Sequence, residues 1–267
     1  IVVVGLDQDS ETEGEDRASL SLPGDQDDLV RAVTAANPRT VVLVNAGAPV
    51  DLSSAIAAPG LAQVWYLGQE SGDAVAGLLV GDAAPSGRLP TTFGARLDDW
   101  PSHATYPGTD GHVAYGDEGL VGYRGFDALG IDPVFCFGHG LTYTTFEWSD
   151  GRSAVAEISR QALEDGAVVS VGVTVTNVGD RAAADVVQCY VRPARPEPGR
   201  PPRRLATFAK VRLDPAESTE VHLELDHRSF ATWDLSTSTW TVADGAHTID
   251  VGASSRDLRS SVTIEIT

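Results

Sequence analysis

The hydrophobic pattern changes its period about halfway along the chain. Near the start, short unbroken apolar runs alternate with helical spacing. Ile1-Val2-Val3-Val4 is continuous and β-branched, which predicts a parallel strand covered on both faces. Pro23-Gly24-Asp25 then announces a helix with Leu29, Val30, Val33 and Ala36 on one face. Asp25 is placed to cap it, Asp28 to complete a capping box, and Asn37-Pro38 to end it. Residues 41–44 predict a second buried strand and 61–67 a third, after which Ala74, Val75, Leu78 and Leu79 fall on the inward face of another helix. This rhythm predicts a parallel sheet with right-handed crossovers.

From about residue 168 the period becomes two. Val169, Val171, Val173 and Val175 alternate with polar positions, Asn177-Val178-Gly179-Asp180 makes a turn, and Val186, Val187, Cys189 and Val191 follow. After a Pro/Arg-rich link over 192–204, strands are expected at 208–213, 221–225, 240–242 and 247–251, the pattern of a β-sandwich. Between the two regimes, residues 85–150 are rich in aromatics, Gly and Pro with little periodicity, so they must pack on something else. The fold class expected is α/β, a partial parallel-sheet α/β sandwich over 1–148, followed by an all-β sandwich over 149–267.

One connection stands apart. Residues 5–24, GLDQDSETEGEDRASLSLPG, join the first strand to the first helix. Such connections usually take about 2–6 residues, and loops well beyond a dozen are mostly functional or disordered. This one carries Asp7, Asp9, Glu11, Glu13, Glu15 and Asp16 and leaves the carboxyl end of a parallel strand, where open α/β sheets place ligand crevices. A solvated acidic loop is the plain alternative to a catalytic carboxylate.

At these residues a resemblance appears. G-L-D-Q…E-T-E-G-x-D-R…L-x-L-P-G resembles the acid/base loop of the C-terminal domain of family 3 glycoside hydrolases, the β-glucosidase/β-xylosidase family. N-A-G-A-P-V at 45–50, P-S-G-R-L-P at 85–90, V-G-Y-R at 121–124 and F-G-H-G-L-T-Y-T at 137–144 follow in the family's order. Thr174-Val175-Thr176-Asn177-Val178-Gly179 and Leu213-Asp214-Pro215 resemble the immunoglobulin/fibronectin type III-like sandwich that closes many of these enzymes. The family's usual glycine after that proline is Ala216 here, which implies a different turn. Tyr115 to Arg124, Y-x-x-E-G-L-V-G-Y-R, resembles the β-glucosidase branch more than the plant-type β-xylosidase branch, whereas G-L-D-Q occurs in both.

The resemblance implies retaining hydrolysis of a β-linked oligosaccharide or glycoside, most of all terminal β-D-glucosyl residues. That chemistry needs a nucleophile and an acid/base about 5–5.5 Å apart. The acid must hold its proton near neutral pH, which burial and neighbouring negative charge arrange. The resemblance places the acid/base at Glu13, with Glu11 the runner-up. Asp16 and Arg17 are read as loop anchors through a salt bridge or as substrate-proximal groups. The family's nucleophile is an aspartate on a (β/α)8 barrel, and no Asp here has a matching context; Asp98-Asp99-Trp100 follows R-L-P-T-T-F and reads as loop. The chain is therefore expected to be an N-terminally truncated fragment, inactive alone, whose missing barrel is its partner. A β-xylosidase or arabinosidase, or a non-catalytic carbohydrate-binding or scaffolding module, stays open as an alternative.

Composition narrows the partners. A net charge of −19 argues against nucleic acid and anionic membrane surfaces, and no apolar run approaches a membrane span. Val4-Gly5-Leu6-Asp7 lacks a dinucleotide-binding glycine pattern, so no cofactor is expected. Cys136 and Cys189 read as core fillers rather than a disulfide, and His103 and His112 are not spaced as metal ligands, so no metal is expected. His139 reads as a structural histidine in a Gly-flanked turn. Trp65, Tyr66 and Trp100 read as packing residues before sugar-stacking ones. There is no methionine, and nothing in the sequence speaks to location.

Overall fold

A three-stranded parallel sheet holds the first core. The computed structural model describes residues 1–267 and orders the strands β1 (Val2–Gly5), β2 (Val41–Asn45) and β3 (Gly60–Gln63), with β2 central. Val2 pairs with Val42 and Val4 with Val44, and β2 pairs in parallel with β3 through Val42 and Leu61. Helix α1 (Gln26–Ala36) lays Val30 into a cluster with Val2, Val4, Val42, Val44 and Phe93.

Four local expectations change here, each because so narrow a sheet offers little to pack against. β1 is an edge strand, and while Val2 and Val4 are buried, Ile1 and Val3 are open to solvent. On α1, Val30 is buried and Val33 partly so, but Leu29 and Ala36 are exposed. Strand β3 stops at Gln63, and Trp65 beyond it has φ +56°. Helix α2 (Ser71–Val80) buries no residue fully, and Ala74 is exposed.

The capping box at α1 does not form. Asp25 has φ −94° and ψ 18° instead of the extended backbone a capping side chain needs, and Asp28 pairs with Arg31. Gln26 does the local work instead. Its amide accepts from the Gly5 N–H at 2.7 Å and donates to the Gly5 and Pro23 carbonyls at 3.0 and 3.1 Å, tying the helix start to the end of β1.

The second core lies between two sheets. Beyond helix α3 (Tyr123–Leu129), the chain forms β4 (Phe146–Trp148), β5 (Arg152–Ser153), β6 (Glu157–Ile158), α4 (Arg160–Glu164), β7 (Val169–Asn177), β8 (Ala183–Arg192), β9 (Arg204–Leu213), β10 (Ser218–Leu225), α5 (His227–Phe230), β11 (Thr232–Asp234), β12 (Thr239–Thr241), β13 (Gly245–Gly252) and β14 (Leu258–Ile266). One sheet runs β10-β7-β4 with β5 also on β7, the other β6-β14-β13-β8-β9, and β11-β12 is a separate hairpin. The alternating valines of β7 face Val187, Cys189, Ile249, Val251 and Ile264 across the sandwich. β4 pairs with β7, so the sandwich sheet takes in residues from 146 onward. Ala216 takes φ +63° in the tight turn before β10, where the Glu217 N–H donates to the Asp214 carbonyl at 3.0 Å.

The aromatic stretch lies against both cores. Phe93 pairs with Phe135 and meets Trp65 edge to face, while Tyr123 stacks on Phe137 at 4.8 Å and meets Tyr190 of β8 at 6.0 Å. P-S-G-R-L-P and F-G-H-G bond to each other, Leu89 N–H to the His139 carbonyl and Gly138 N–H to the Leu89 carbonyl, both at 2.8 Å. Their glycines permit the contact, since a Cβ on Gly140 would stand 2.2 Å from the Gly87 carbonyl oxygen and one on Gly138 2.1 Å from Gln188.

Candidate active site

The acidic loop is fastened at successive points along its length. At its start the Leu6 N–H donates to the Asn45 carbonyl at 3.0 Å, and a Cβ on Gly5 would lie 1.9 Å from that same oxygen, so only glycine fits. Asp7 then folds back on Ser10, accepting from its N–H at 2.9 Å and its hydroxyl at 2.7 Å, which lowers the Asp7 pKa. At the far end the Asp51 N–H donates to the Leu20 carbonyl at 2.8 Å.

Glu11 holds the middle. Its carboxylate accepts from the Gly47 N–H at 2.9 Å and from the Tyr66 hydroxyl. Desolvation, and then the Glu11 carboxylate itself, raise the Tyr66 pKa, so the phenol stays a donor. Asp16 accepts from the Tyr106 hydroxyl at 2.6 Å, and that bond raises the Tyr106 pKa. The Arg17 guanidinium donates to the Pro49 carbonyl at 2.8 Å, and its Nη1 is buried without a partner. No salt bridge joins Asp16 to Arg17; both residues engage neighbouring segments instead.

Glu13 is left free. It lies exposed between the Glu11 and Asp16 attachments, with no hydrogen bond or ion pair to any other residue. Asp9 and Glu15 are also exposed and unpaired, so geometry alone narrows six carboxylates to three. The N-A-G-A-P-V run at the end of β2 contributes backbone, the Gly47 N–H and the Pro49 carbonyl, which is why its small residues matter: a Cβ on Gly47 would lie 2.9 Å from the Tyr66 ring. Tyr106 also lines an open cavity of about 450 Å³ with Thr109, His112 and Val113, to which the loop itself contributes no residue.

Two anchors were not legible as such. Tyr66 reads as packing in the sequence, and Tyr106 sits in an aperiodic stretch, yet each fixes a loop carboxylate. Trp65 and Trp100 do pack inward, against Phe93 and Phe126. His139 tilts against Phe135, with its pKa lowered by burial and by Arg88. Asp99 closes a short turn by accepting from the Ala95 and Arg96 N–H groups.

Known proteins match the chain throughout. The model of the glycosyl hydrolase family 3 C-terminal domain matches residues 1–143, and that of the fibronectin type III-like domain matches 185–255. Across all of this chain, identity is 39% to a probable β-glucosidase I of Aspergillus terreus and 37% to the thermostable β-glucosidase B of Acetivibrio thermocellus. The chain covers 32% and 35% of those proteins, about a third of their length. Among solved structures, the GH3 β-glucosidase of Bifidobacterium adolescentis has a TM-score of 0.91 at 37% identity, over 99% of this chain and 38% of that one. A β-glucosidase from Streptomyces venezuelae in complex with D-glucose has a TM-score of 0.91 at 36% identity, over 100% and 33%. Matched over more than half its length by the family's C-terminal domain, with the fibronectin-like module following in order, the chain belongs to glycosyl hydrolase family 3.

Proposed function

We propose that this chain is the acid/base-bearing part of a retaining β-glucosidase, with Glu13 donating the proton to the leaving glycosidic oxygen. Residues 1–148 form the catalytic portion in this proposal, and 149–267 the supporting sandwich. The observation that carries it is that Glu13, the glutamate of E-G-x-D-R, is one of three unpaired carboxylates on a loop whose Asp7, Glu11 and Asp16 are taken up. Glu11 is already committed to Gly47 and Tyr66, which counts against it as a proton donor. Asp16 and Arg17 serve as anchors.

The nucleophile comes from a preceding barrel of the same polypeptide. Relatives about three times as long support this, as does the uncovered apolar edge at Ile1 and Val3. Glycosylation of the nucleophile and its hydrolysis then share Glu13, first as acid and later as base. The sugar is glucose rather than xylose or arabinose, supported by the names of the matched relatives and by the Tyr115-to-Arg124 pattern.

The test is chemical rescue in the full-length polypeptide. Glu13→Ala slows substrates with poor leaving groups far more than activated aryl glucosides, and azide restores the rate and yields a β-glucosyl azide, the stereochemistry of retention. Glu11→Ala loses activity through loop displacement and is not rescued. Rescue of Glu11→Ala with Glu13→Ala unaffected moves the acid two residues upstream, and rescue of neither removes it from this loop.

A further inference from the structure

The sandwich carries a second concavity, independent of the acidic loop. A cavity of about 160 Å³ lies between the 192–204 link and the β11-β12 hairpin, with Phe230 and His247 in its lining. That is roughly the room one six-membered ring needs, since a cavity of about 150 Å³ takes up benzene.

Its chemistry runs against the rest of a strongly acidic chain. Four guanidiniums, Arg124, Arg195, Arg200 and Arg204, line it with one carboxylate, Glu197, and Glu197 sits 3.7 Å from Arg200. Arg124 and Arg195 enter no ion pair, and Asp244, which feels the charge of Arg195, is bonded to Arg160. Arg204 donates to the Ser229 and Ala231 carbonyls at 3.3 and 2.8 Å, and its pKa is lowered by burial and then by the charge of Arg124. Arg124, Arg195 and Arg204 therefore lack a counter-ion of their own, while Arg200 has Glu197. Trp233 and Trp240, edge to face at 5.3 Å, give the cavity an aromatic wall, with the Arg228 guanidinium stacked on Trp240 at 3.5 Å and Trp233 the more exposed of the two. His247 is fully buried, with Nε2 2.8 Å from the Ala243 carbonyl and Nδ1 without any partner. With the Nε2 proton given to that carbonyl, Nδ1 is an unfilled acceptor.

We propose that this cavity binds a carboxylated pyranose, a uronic acid residue of a glycan, with its carboxylate on the arginines and its ring face on Trp233. Each element answers one observation: fork-shaped guanidiniums pair with carboxylates, and an exposed indole accepts apolar ring surface.

Calorimetric titration of the protein with D-glucuronate, D-glucose, benzoate and sulfate tests it. Glucuronate binds saturably, the other three at least about tenfold more weakly, and Arg195→Gln and Trp233→Ala each weaken glucuronate at least about tenfold with unchanged circular dichroism. Both substituted side chains are at the surface, so the fold does not depend on them. Sulfate binding as tightly as glucuronate reduces the cavity to an anion site and overturns the proposal. Equal binding of benzoate overturns the pyranose, and glucuronate binding that survives both substitutions places it elsewhere.

Discussion

Arg88 and Asp185 form the most buried ion pair between the two cores, and removing one partner exposes what it does. Arg88 Nη2 donates to Asp185 Oδ1 at 2.5 Å, and both side chains are almost wholly out of solvent. Asp185 also accepts from Trp148 Nε1 at 3.1 Å and from the Val186 N–H at 2.8 Å. Arg88→Met keeps most of the volume but strands a buried carboxylate with two neutral donors. Breaking such a pair from one side costs about 3–5 kcal/mol, because the remaining charge stays desolvated. Arg88→Met with Asp185→Asn removes that charge while leaving an acceptor for Trp148, so the double variant lies within about 2 kcal/mol of the parent. Equilibrium urea unfolding followed by tryptophan fluorescence reads both values. A single-variant loss below about 1 kcal/mol, or a double variant no more stable than the single, refutes the reasoning.

Two further outcomes follow from particular backbone and burial features. Ala216 holds φ +63°, a left-handed conformation that costs a residue with a Cβ about 1–2 kcal/mol, so Ala216→Gly raises stability by about 1 kcal/mol after the extra freedom of the unfolded glycine is counted; thermal denaturation showing a lower Tm contradicts it. Burial lowers the pKa of His139 and His247 below their ordinary 6.5. The unfolded chain then binds more protons than the folded one, so the contribution of these residues is intact above about pH 6.5 and is lost as pH falls through the depressed folded values. Tm measured from pH 7.5 downward declines below about 6.5, and His247→Gln, which can still donate to the Ala243 carbonyl, flattens the decline; an unchanged slope contradicts it.

What the sequence showed well was whatever depends on local period. The apolar runs of β1 and β2, the alternating valines of β7 and the alternating Val221, Leu223 and Leu225 of β10 form the strands their spacing predicts. It missed β14, although Val262, Ile264 and Ile266 alternate, because Arg259, Ser260 and Ser261 open that strand with a polar run. It overstated burial on β1, α1 and α2, since apolar spacing tells which face is inward but not whether anything covers it. The loop shows the same division. Its length, charge and place after β1 were visible in the chain, but Glu11–Tyr66 joins residues 55 positions apart and Asp16–Tyr106 joins residues 90 apart. No local period encodes such pairs.

The polar residues of β8 explain why a sandwich with no part in the proposed chemistry accompanies the loop. Nine consecutive strand positions from Ala183 to Val191 are buried, so both faces of β8 are covered. One face is sandwich core, while Gln188 and Tyr190 point to the aromatic stretch and are satisfied there. Gln188 donates to the Gly138 and Ala253 carbonyls and accepts from the Tyr190 hydroxyl, and the Tyr123 hydroxyl accepts from the Leu205 N–H. Asp127 on α3 is gripped by Arg203 at 2.9 Å and Arg256 at 2.8 Å, both from the sandwich. That stretch has no regular sheet of its own, so its shape comes from these attachments. It is also the stretch that carries Tyr106, whose hydroxyl holds Asp16 three residues past Glu13. The sandwich thus braces one wall of the candidate site through directional bonds, and directional bonds fix position more tightly than apolar packing of equal area does.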